Sequence, residues 1–309
     1  RTVSLYGTQR TNAANYQNAI TPRGAIIVAA RSADVTRNYL LEDASYHPND
    51  LVITKKGSGP DPENPGEELP LIITAADQAY IYNGQPQGSF GQDLYVSATN
   101  PQATAFELVP GHRLQLVSLN GQQQTNAGTY DNAIMPSGVR IVNSAGQNQT
   151  DNYRIEASSF VAGDLTIHQK GNGQPDPDGS GRELPLDITA AGQTYEFNSQ
   201  LQGTFGANLT IDAQNAWAAA VELVSGQRLA SITLTGRQES AVGTYTDRIV
   251  PSAARIVNAG GTDVTRNYRI ETGSYHPGTL VIQPAGSGTV TIRARNQEYV
   301  YNESPQGVV

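Results

Sequence analysis

Apolar side chains recur at every second position in short runs along this chain, among them LDITA, VRIVN, NLTID, RLQLVSL and DLTIH. Gly, Asn, Asp and Pro interrupt the runs every ~8–12 residues, the punctuation of short strands joined by turns. A period of two is that of a strand with one buried face. Two stretches tolerate a helix, NAWAAAVELV (215–224) and PQATAFELVP (101–110), but Asn or Pro bounds them and each runs into Glu-Leu-Val, so they read as strand or short turn. The pattern predicts an all-β chain of antiparallel strands with no βαβ alternation, and β-sandwich modules of the Ig-like kind.

One irregularity recurs. Leu71, Ile73 and Ala75 share a parity that Tyr80 and Tyr82 break, and Leu186, Ile188, Ala190 against Tyr195, Phe197 do the same. A strand changes faces only through an extra residue, so a bulge or bend is expected near Gln78 and Gln193.

The pattern is also periodic on a longer scale. DVTRNYLLEDASYHPNDLVI (34–53) returns as NQTDNYRIEASSFVAGDLTI (148–167) and as DVTRNYRIETGSYHPGTLVI (263–282), at offsets of 114 and 115. Tyr16, Tyr130 and Tyr245 open matched stretches ahead of these, with Pro22, Pro136 and Pro251 in register. LPLIITAADQAYIYN (69–83), LPLDITAAGQTYEFN (184–198) and TVTIRARNQEYVYN (289–302) mark where each unit begins. A fixed period of this length makes the chain a tandem array. The expected organisation is a partial module of later strands at 1–56, a Pro/acidic linker at 57–69, a complete β module at 70–170, a second linker at 171–184, a second module at 185–285, and the opening strands of another at 286–309. Modules of about 115 residues in a rod-like array follow. The proline-rich linkers GSGPDPENPGEE and GNGQPDPDGSGRE read as extended, solvated spacers. The first part-module should leave Leu5, Ile27, Leu51 and Ile53 incompletely covered. The tail should carry an opening strand, with Val290, Ile292 and Ala294 on one face. Either the array continues beyond both ends, so that adjoining sequence resembling 72–114 completes the first part-module, or copies arranged head to tail supply each end with part of what it lacks.

Composition narrows the function. The chain has no cysteine, so it has no disulfide, thiolate nucleophile or Cys-ligated metal. Twenty Lys and Arg against 28 Asp and Glu give a net charge of −8, which argues against nucleic acid. No apolar run has the length of a membrane span.

The stretch GTYDNAIMPSGVRIVNSAGQNQTDNYRIEASSFVAGDLTI, together with ITAADQAYIYNGQPQG, resembles the mostly-β, glycine-rich (MBG/YDG-type) tandem repeats of large bacterial surface proteins and adhesins. The chain reads YNG at Tyr82, FNS at Phe197 and YNE at Tyr301 where YDG is usual. The resemblance implies extracellular β modules strung as stalks and carries no catalytic residues with it.

Candidate chemistry is sparse. His47 and His276 are equivalent, but Val161 stands between them in the middle copy, and His112 and His168 have no counterparts, so no triad or metal cluster is expected. Glu42, Glu156 and Glu271 read as hydrogen-bonding residues, and Tyr39, Tyr153 and Tyr268 as core or corner aromatics. Asp176, Asp178, Ser180 and Glu183 have the spacing of oxygen ligands for calcium. Their twins Asp61, Glu63, Glu67 and Glu68 are interrupted by Pro65, so a solvated acidic spacer is the simpler reading. No catalytic, cofactor-binding or metal residue is assigned, and no cofactor. The expected function is a non-catalytic structural or adhesive segment of an extracellular surface protein or fibre. Its partners would be neighbouring modules or copies of itself, with host or matrix glycans or proteins reached through other regions. The alternative is a set of carbohydrate-binding accessory modules of a secreted polysaccharide-active enzyme. It rests on Trp217, the single tryptophan, whose counterpart is expected at Ala103 or Thr104.

Overall fold

A computed structural model describes residues 2–30, 32–286 and 291–307. The described residues are all-β, with 19 strands, six single turns of 3₁₀ helix and no α-helix. None of them forms a helix long and apolar enough to cross a membrane. Contacts divide the chain into two compact units: residues 1–184 with 266–269, and residues 185–265 with 270–309.

The first unit begins with a three-stranded antiparallel sheet of β1 (Thr2–Tyr6), β2 (Ala14–Ile26) and β3 (Asn49–Ile53), in the order β1-β2-β3. It continues through β4 (Ile73–Ala75), β5 (Gln78–Ile81), β6 (Gly91–Tyr95), β7 (Ala103–Ala105), β8 (Arg113–Asn120), β9 (Gly128–Val142), β10 (Phe160–Val161) and β11 (Gly163–His168). These form a three-stranded sheet, β10-β4-β7, and a five-stranded sheet, β5-β11-β9-β8-β6. Leu71, Ile73, Ala75 and Ala103 from one sheet and Leu114, Val117, Leu119, Ile134, Ile141 and Leu165 from the other close a single buried core with Tyr153. A fully buried Leu or Ile of this kind contributes ~1.5–3 kcal/mol.

The second unit repeats the plan with β12 (Ile188–Ala190), β13 (Gln193–Glu196), β14 (Gly206–Thr210), β15 (Ala218–Ala220), β16 (Arg228–Gly236), β17 (Gly243–Val257), β18 (Tyr275–His276) and β19 (Gly278–Gln283). Its sheets run β15-β12-β18 and β13-β19-β17-β16-β14. Leu186, Ile188, Ile232, Ile249, Ile256 and Leu280, the counterparts of the first core, are all fully buried.

The expected parity break has a larger cause than a bulge. The opening strand leaves one sheet after Ala75 and joins the other at Gln78, so β4 and β5 are two halves of one run in different sheets. The closing strand switches at the same level, between β10 and β11, and the two run parallel: Phe160 opposite Ile73, then Leu165 opposite Gln78. The expectation of purely antiparallel sheets is therefore corrected. First and last strands of a module point the same way because both cross between the sheets side by side, and β12–β13 beside β18–β19 does likewise.

Local motifs explain the repeated letters. In Tyr-x-Asn/Asp, residues Asn18, Asn132 and Asp247 have φ of 53°, 53° and 52°, a left-handed conformation that Asn and Asp tolerate best among side-chain-bearing residues. It sits at a bulge, where Asp164 Oδ1 accepts the Asn132 N–H at 2.7 Å. The tyrosine ahead of it bonds back: Tyr130 OH donates to Asn126 O at 2.9 Å, as Tyr16 OH does to Asn12 O. In Asp/Asn-x-Thr, the Asn148 carboxamide oxygen accepts the Thr150 N–H, and Thr150 Oγ1 accepts the Ile141 N–H at 3.0 Å.

Residues 1–56 are poorly covered. Leu5 is 63% exposed, and Leu51 and Ile53 are half-buried where their counterparts Leu165 and Ile167 are buried. The three tyrosines do not share one environment: Tyr153 and Tyr268 are buried, whereas Tyr39 is 56% exposed. Residues 1–56 hold no counterpart of Val109 and His112, which cover Tyr153. Ile292 is 91% exposed, and Val290 lies outside the described residues.

The double strand switch needs a glycine. A Cβ at Gly163 would stand 2.8 Å from Ala75 O and 2.9 Å from Ala76 O, and at Gly278 2.8 Å from Ala190 O. Gly163→Ala is expected to cost ~1–3 kcal/mol in denaturant unfolding, the range of overpacked core sites. Gly273→Ala, with open space around it, should be near neutral; equal effects would disprove the close approach.

Candidate functional site

The residues that repeat most faithfully converge where one repeat meets the next, within the first unit. The segment 57–69 folds back on itself instead of extending: Pro60 and Glu68 form an antiparallel bridge, Asp61 N–H donates to Glu67 O, and Leu69 N–H donates to Gly59 O. A closed hairpin therefore stands where an extended spacer was expected, while residues 62–67 are exposed as a solvated segment should be. Gly57 permits it, since a Cβ there would collide with the Leu69 carbonyl oxygen.

Arg154 locks the hairpin. Its Nη1 donates to Asp61 Oδ2 at 3.0 Å and to Glu68 O at 2.6 Å, while Nε donates to Glu156 Oε1 at 2.7 Å. Lys56 Nζ meets Glu68 Oε2 at 2.9 Å, and the Gly57 N–H donates to the same oxygen. Asp61 is buried and saturated: Oδ1 accepts the Glu63 N–H, and Oδ2 accepts from Asn64 Nδ2 as well as from Arg154. Those hydrogen bonds, the Asn64 amide first and the Arg154 guanidinium next, lower its pKa to about 2.

The backbone is stitched across the same place. Lys56 N–H donates to Asn152 O, and Arg154 N–H donates to Lys56 O. Asn152 Oδ1 accepts the Ala13 N–H at 2.8 Å, and its Nδ2 reaches Asn12 Oδ1 at 3.3 Å. The motif Asn-Tyr-Arg thus sends Asn152 to the preceding repeat, Tyr153 into the core and Arg154 to the hairpin. Tyr153 OH accepts the Val109 N–H at 3.1 Å and lies 2.7 Å from His112 Nδ1. A cleft of ≈ 720 Å³ opens here, lined among others by Asn12, Lys56, His112, Asn152 and Tyr153.

A second set of contacts in the first unit repeats this pattern, because Arg266–Arg269 clusters with that unit. Arg269 Nη1 donates to Asp176 Oδ2 at 2.6 Å and to Glu183 O at 2.7 Å. Lys170 Nζ lies 3.0 Å from both Glu183 carboxylate oxygens, and the Ala127 N–H donates to Asn267 Oδ1 at 2.9 Å. Every partner is the counterpart of one in the first set. The first copy differs, since Leu40, 81% exposed, stands where Arg154 and Arg269 stand.

The residues considered for chemistry are placed apart or occupied. Asp176 faces Arg269, Glu183 faces Lys170 and the N–H groups of Gly171 and Gly173, and Asp178 turns to the Ser180 N–H and Arg182. Their oxygens do not converge on one point, and among the described residues no group of three His, Asp or Glu side chains is arranged to hold a metal ion. His276 pairs with Asp187 at 2.9 Å on the surface, and His47 is exposed. Glu156 and Glu271 begin 3₁₀ turns, their N–H groups donating to Ser159 Oγ and Ser274 Oγ. Trp217 is half-buried, and its carbonyl accepts the Ala191 N–H as Gln102 accepts that of Ala76, so Gln102 is its counterpart, not Ala103 or Thr104. The joint residues Lys56, Asn152, Arg154, Lys170 and Arg269 escaped sequence reading, although Lys56 and Lys170 lie 114 apart and Arg154 and Arg269 115 apart.

No protein-family profile, curated protein or solved structure matches this chain.

Arg154→Met should leave the core intact and free the hairpin, so that limited proteolysis cuts within 57–69 several-fold faster than in the unaltered protein; an unchanged cleavage rate would show the guanidinium to be dispensable. The hairpin should also resist acid. A carboxyl whose folded pKa is depressed stabilises the fold above its unfolded pKa and loses that contribution as pH falls through the folded value. The Asp61 contribution should therefore be full above pH ~4 and lost between pH ~4 and about 2. Hydrogen exchange at the Glu63 and Glu67 amides, followed against pH, checks this; loss of protection near pH 5 would refute it.

Proposed function

We propose that the chain is a non-catalytic structural segment of an extracellular surface protein or fibre, in which Ig-like β-sandwich modules of about 115 residues are strung in a rod-like array. The observation that carries this reading is the use to which the repeated residues are put. Asn152, Arg154, Asp61, Glu68 and Lys56, and their counterparts at the second set, make contacts between successive stretches of the repeat rather than a convergent reactive site. A stalk needs joints that hold a fixed geometry, and a half-buried, multiply bonded arginine in a closed hairpin provides one. The MBG/YDG-type resemblance of the repeated motif points the same way, towards adhesive surface proteins whose binding ends lie in other regions. The absence of cysteine and the acidic charge suit a secreted, solvent-exposed array.

Scattering from the purified chain tests the rod. A single compact body of this length would have a radius of gyration of ~19 Å, and the array should give a value well above that with a cross-section close to one module. A value near ~19 Å would reject the stalk. Quenching of Trp217 fluorescence by oligosaccharides would instead favour the accessory-module reading.

A further inference from the structure

We propose that the hairpin at 57–69 is a reserve of chain released by tension: a pull along the chain opens it at low force and leaves the module at 70–170 folded. The use of such a reserve rests on the stalk reading above, because a stalk carries tension. The order of opening rests on the geometry alone.

Both ends of the hairpin are fastened to one short segment of the module. Lys56 N–H donates to Asn152 O at 2.9 Å and Lys56 O accepts the Arg154 N–H at 2.8 Å, while on the far side Leu71 N–H donates to Arg154 O at 2.8 Å. Tension arriving from β3 therefore passes from Lys56 into residues 152–154, and the hairpin beside them stays slack. The upstream fastening is small. It consists of those two backbone bonds, the ion pairs of Lys56 with Glu68 at 2.9 Å and Glu107 at 3.8 Å, and the hold of the Asn152 side chain on the Ala13 N–H. Once these part, the hairpin is drawn open from its adjoining ends. Its bonds, Ser58 N–H to Leu69 O, Leu69 N–H to Gly59 O and Asp61 N–H to Glu67 O, then meet the force one after another. Arg154, holding Asp61 Oδ2 and Glu68 O, is the module's clasp on it. Lys170 N–H to Asn267 O and Arg269 N–H to Lys170 O repeat the upstream fastening for the hairpin at 171–184.

The module is loaded differently. Its first and last strands are parallel neighbours, Ile73 and Thr74 beside Phe160 and Val161, then Gln78 to Ile81 beside Leu165 to His168. A pull along the chain draws the first strand towards its N-terminus and the last towards its C-terminus. The two must slide past each other, so the evenly spaced bonds of a parallel pair are strained together. Burial of Ile73, Leu165 and Ile167 in the core opposes the same sliding. The second module has the equivalent pair, Gln193 to Glu196 beside Leu280 to Gln283.

This order makes the release reversible. Arg154 keeps its place for as long as the module stays folded, so an opened hairpin has its receptor to return to when tension falls, and hairpins close within ~10 μs. Drawn out, residues 57–69 add roughly 40 Å, whereas unfolding of 70–170 adds roughly 300 Å.

The chain has no cysteine, so pairs of introduced thiols fix where force is applied to the whole protein. With handles on Lys55→Cys and Gln169→Cys, both exposed positions, single-molecule pulling should show one short step of roughly 40 Å before one long step of roughly 300 Å. The short step should recur after each relaxation made before the long one. Ile72→Cys with Gln169→Cys leaves the hairpin outside the pulled segment, so the short step should vanish while the long step keeps its force. Gln85→Cys with Gln169→Cys takes hold of the first and last strands at one end, Ile81 being opposite His168, and the rupture force should fall several-fold. Arg154→Met, pulled from 55 and 169, should lower the short-step force several-fold and leave the long-step force unchanged. A long step that comes first, a short step that survives pulling from 72, equal rupture forces from 72 and 85, or a short-step force unmoved by Arg154→Met overturns the proposal. Scattering separates this from the stalk reading: a compact value with these steps intact would reject the stalk and keep the order of opening, whereas an elongated chain without them would reject the reserve alone.

Discussion

The parallel pairing of the first and last strands of a module is the constraint on which the rest of the structure depends. Both strands cross from one sheet to the other at the same level, β4 to β5 beside β10 to β11, with Gly163 allowing the backbones to touch. This crossing lets two small sheets enclose one core, because the edge of each is finished by the other end of the chain segment. It also means that a module is complete only when its opening residues have returned to its closing strand. On β3, which pairs only with β2, Leu51 and Ile53 are half-buried where Leu165 and Ile167 are buried.

The joint follows from that closure. β11 ends beside the opening strand and runs on through Lys170 into the next hairpin, so the hairpin emerges where the core tyrosine and its flanking Asn and Arg are presented. The arginine acts on both the side chain and the main chain of the hairpin, through Asp61 Oδ2 and Glu68 O in one case and Asp176 Oδ2 and Glu183 O in the other. A charged donor shared between a carboxylate and a carbonyl, itself largely out of water, fixes geometry more firmly than an exposed ion pair does. The acidic residues that look like solubilising decoration in the sequence are therefore the receptors of this arginine. Pro60 and Pro175 help the same hairpin by presetting the backbone at its base, where each bridges the glutamate that binds the lysine.

Much of the fold was legible because its signals are local. Alternation of apolar residues gave the strands, the 114 and 115 offsets gave the repeat, and the change of parity between Ala75 and Tyr80 located the point where the strand changes sheet. Thr150 bonds Ile141 only 9 residues away, so its position in the motif was visible even before its bond was. The joint was not legible in the same way. Arg154 lies 93 residues from Asp61 and 86 from the Glu68 carbonyl, and Asn152 lies 139 from Ala13, separations at which no periodicity connects donor to acceptor.

By itself, then, the sequence determined the strand-forming segments, their faces, the repeat and the residues that must match from copy to copy, because each follows from side-chain polarity and backbone preference over a few positions. Only the tertiary structure decided that first and last strands run parallel, that the proline-rich segments close into hairpins rather than extend, and that Tyr39 is exposed while Tyr153 and Tyr268 are buried. Those outcomes depend on which distant groups arrive at the same place. A carboxylate in Pro-Asp-Pro is a solvated charge or an arginine receptor according to whether a guanidinium is brought to it, and folding alone brings it there.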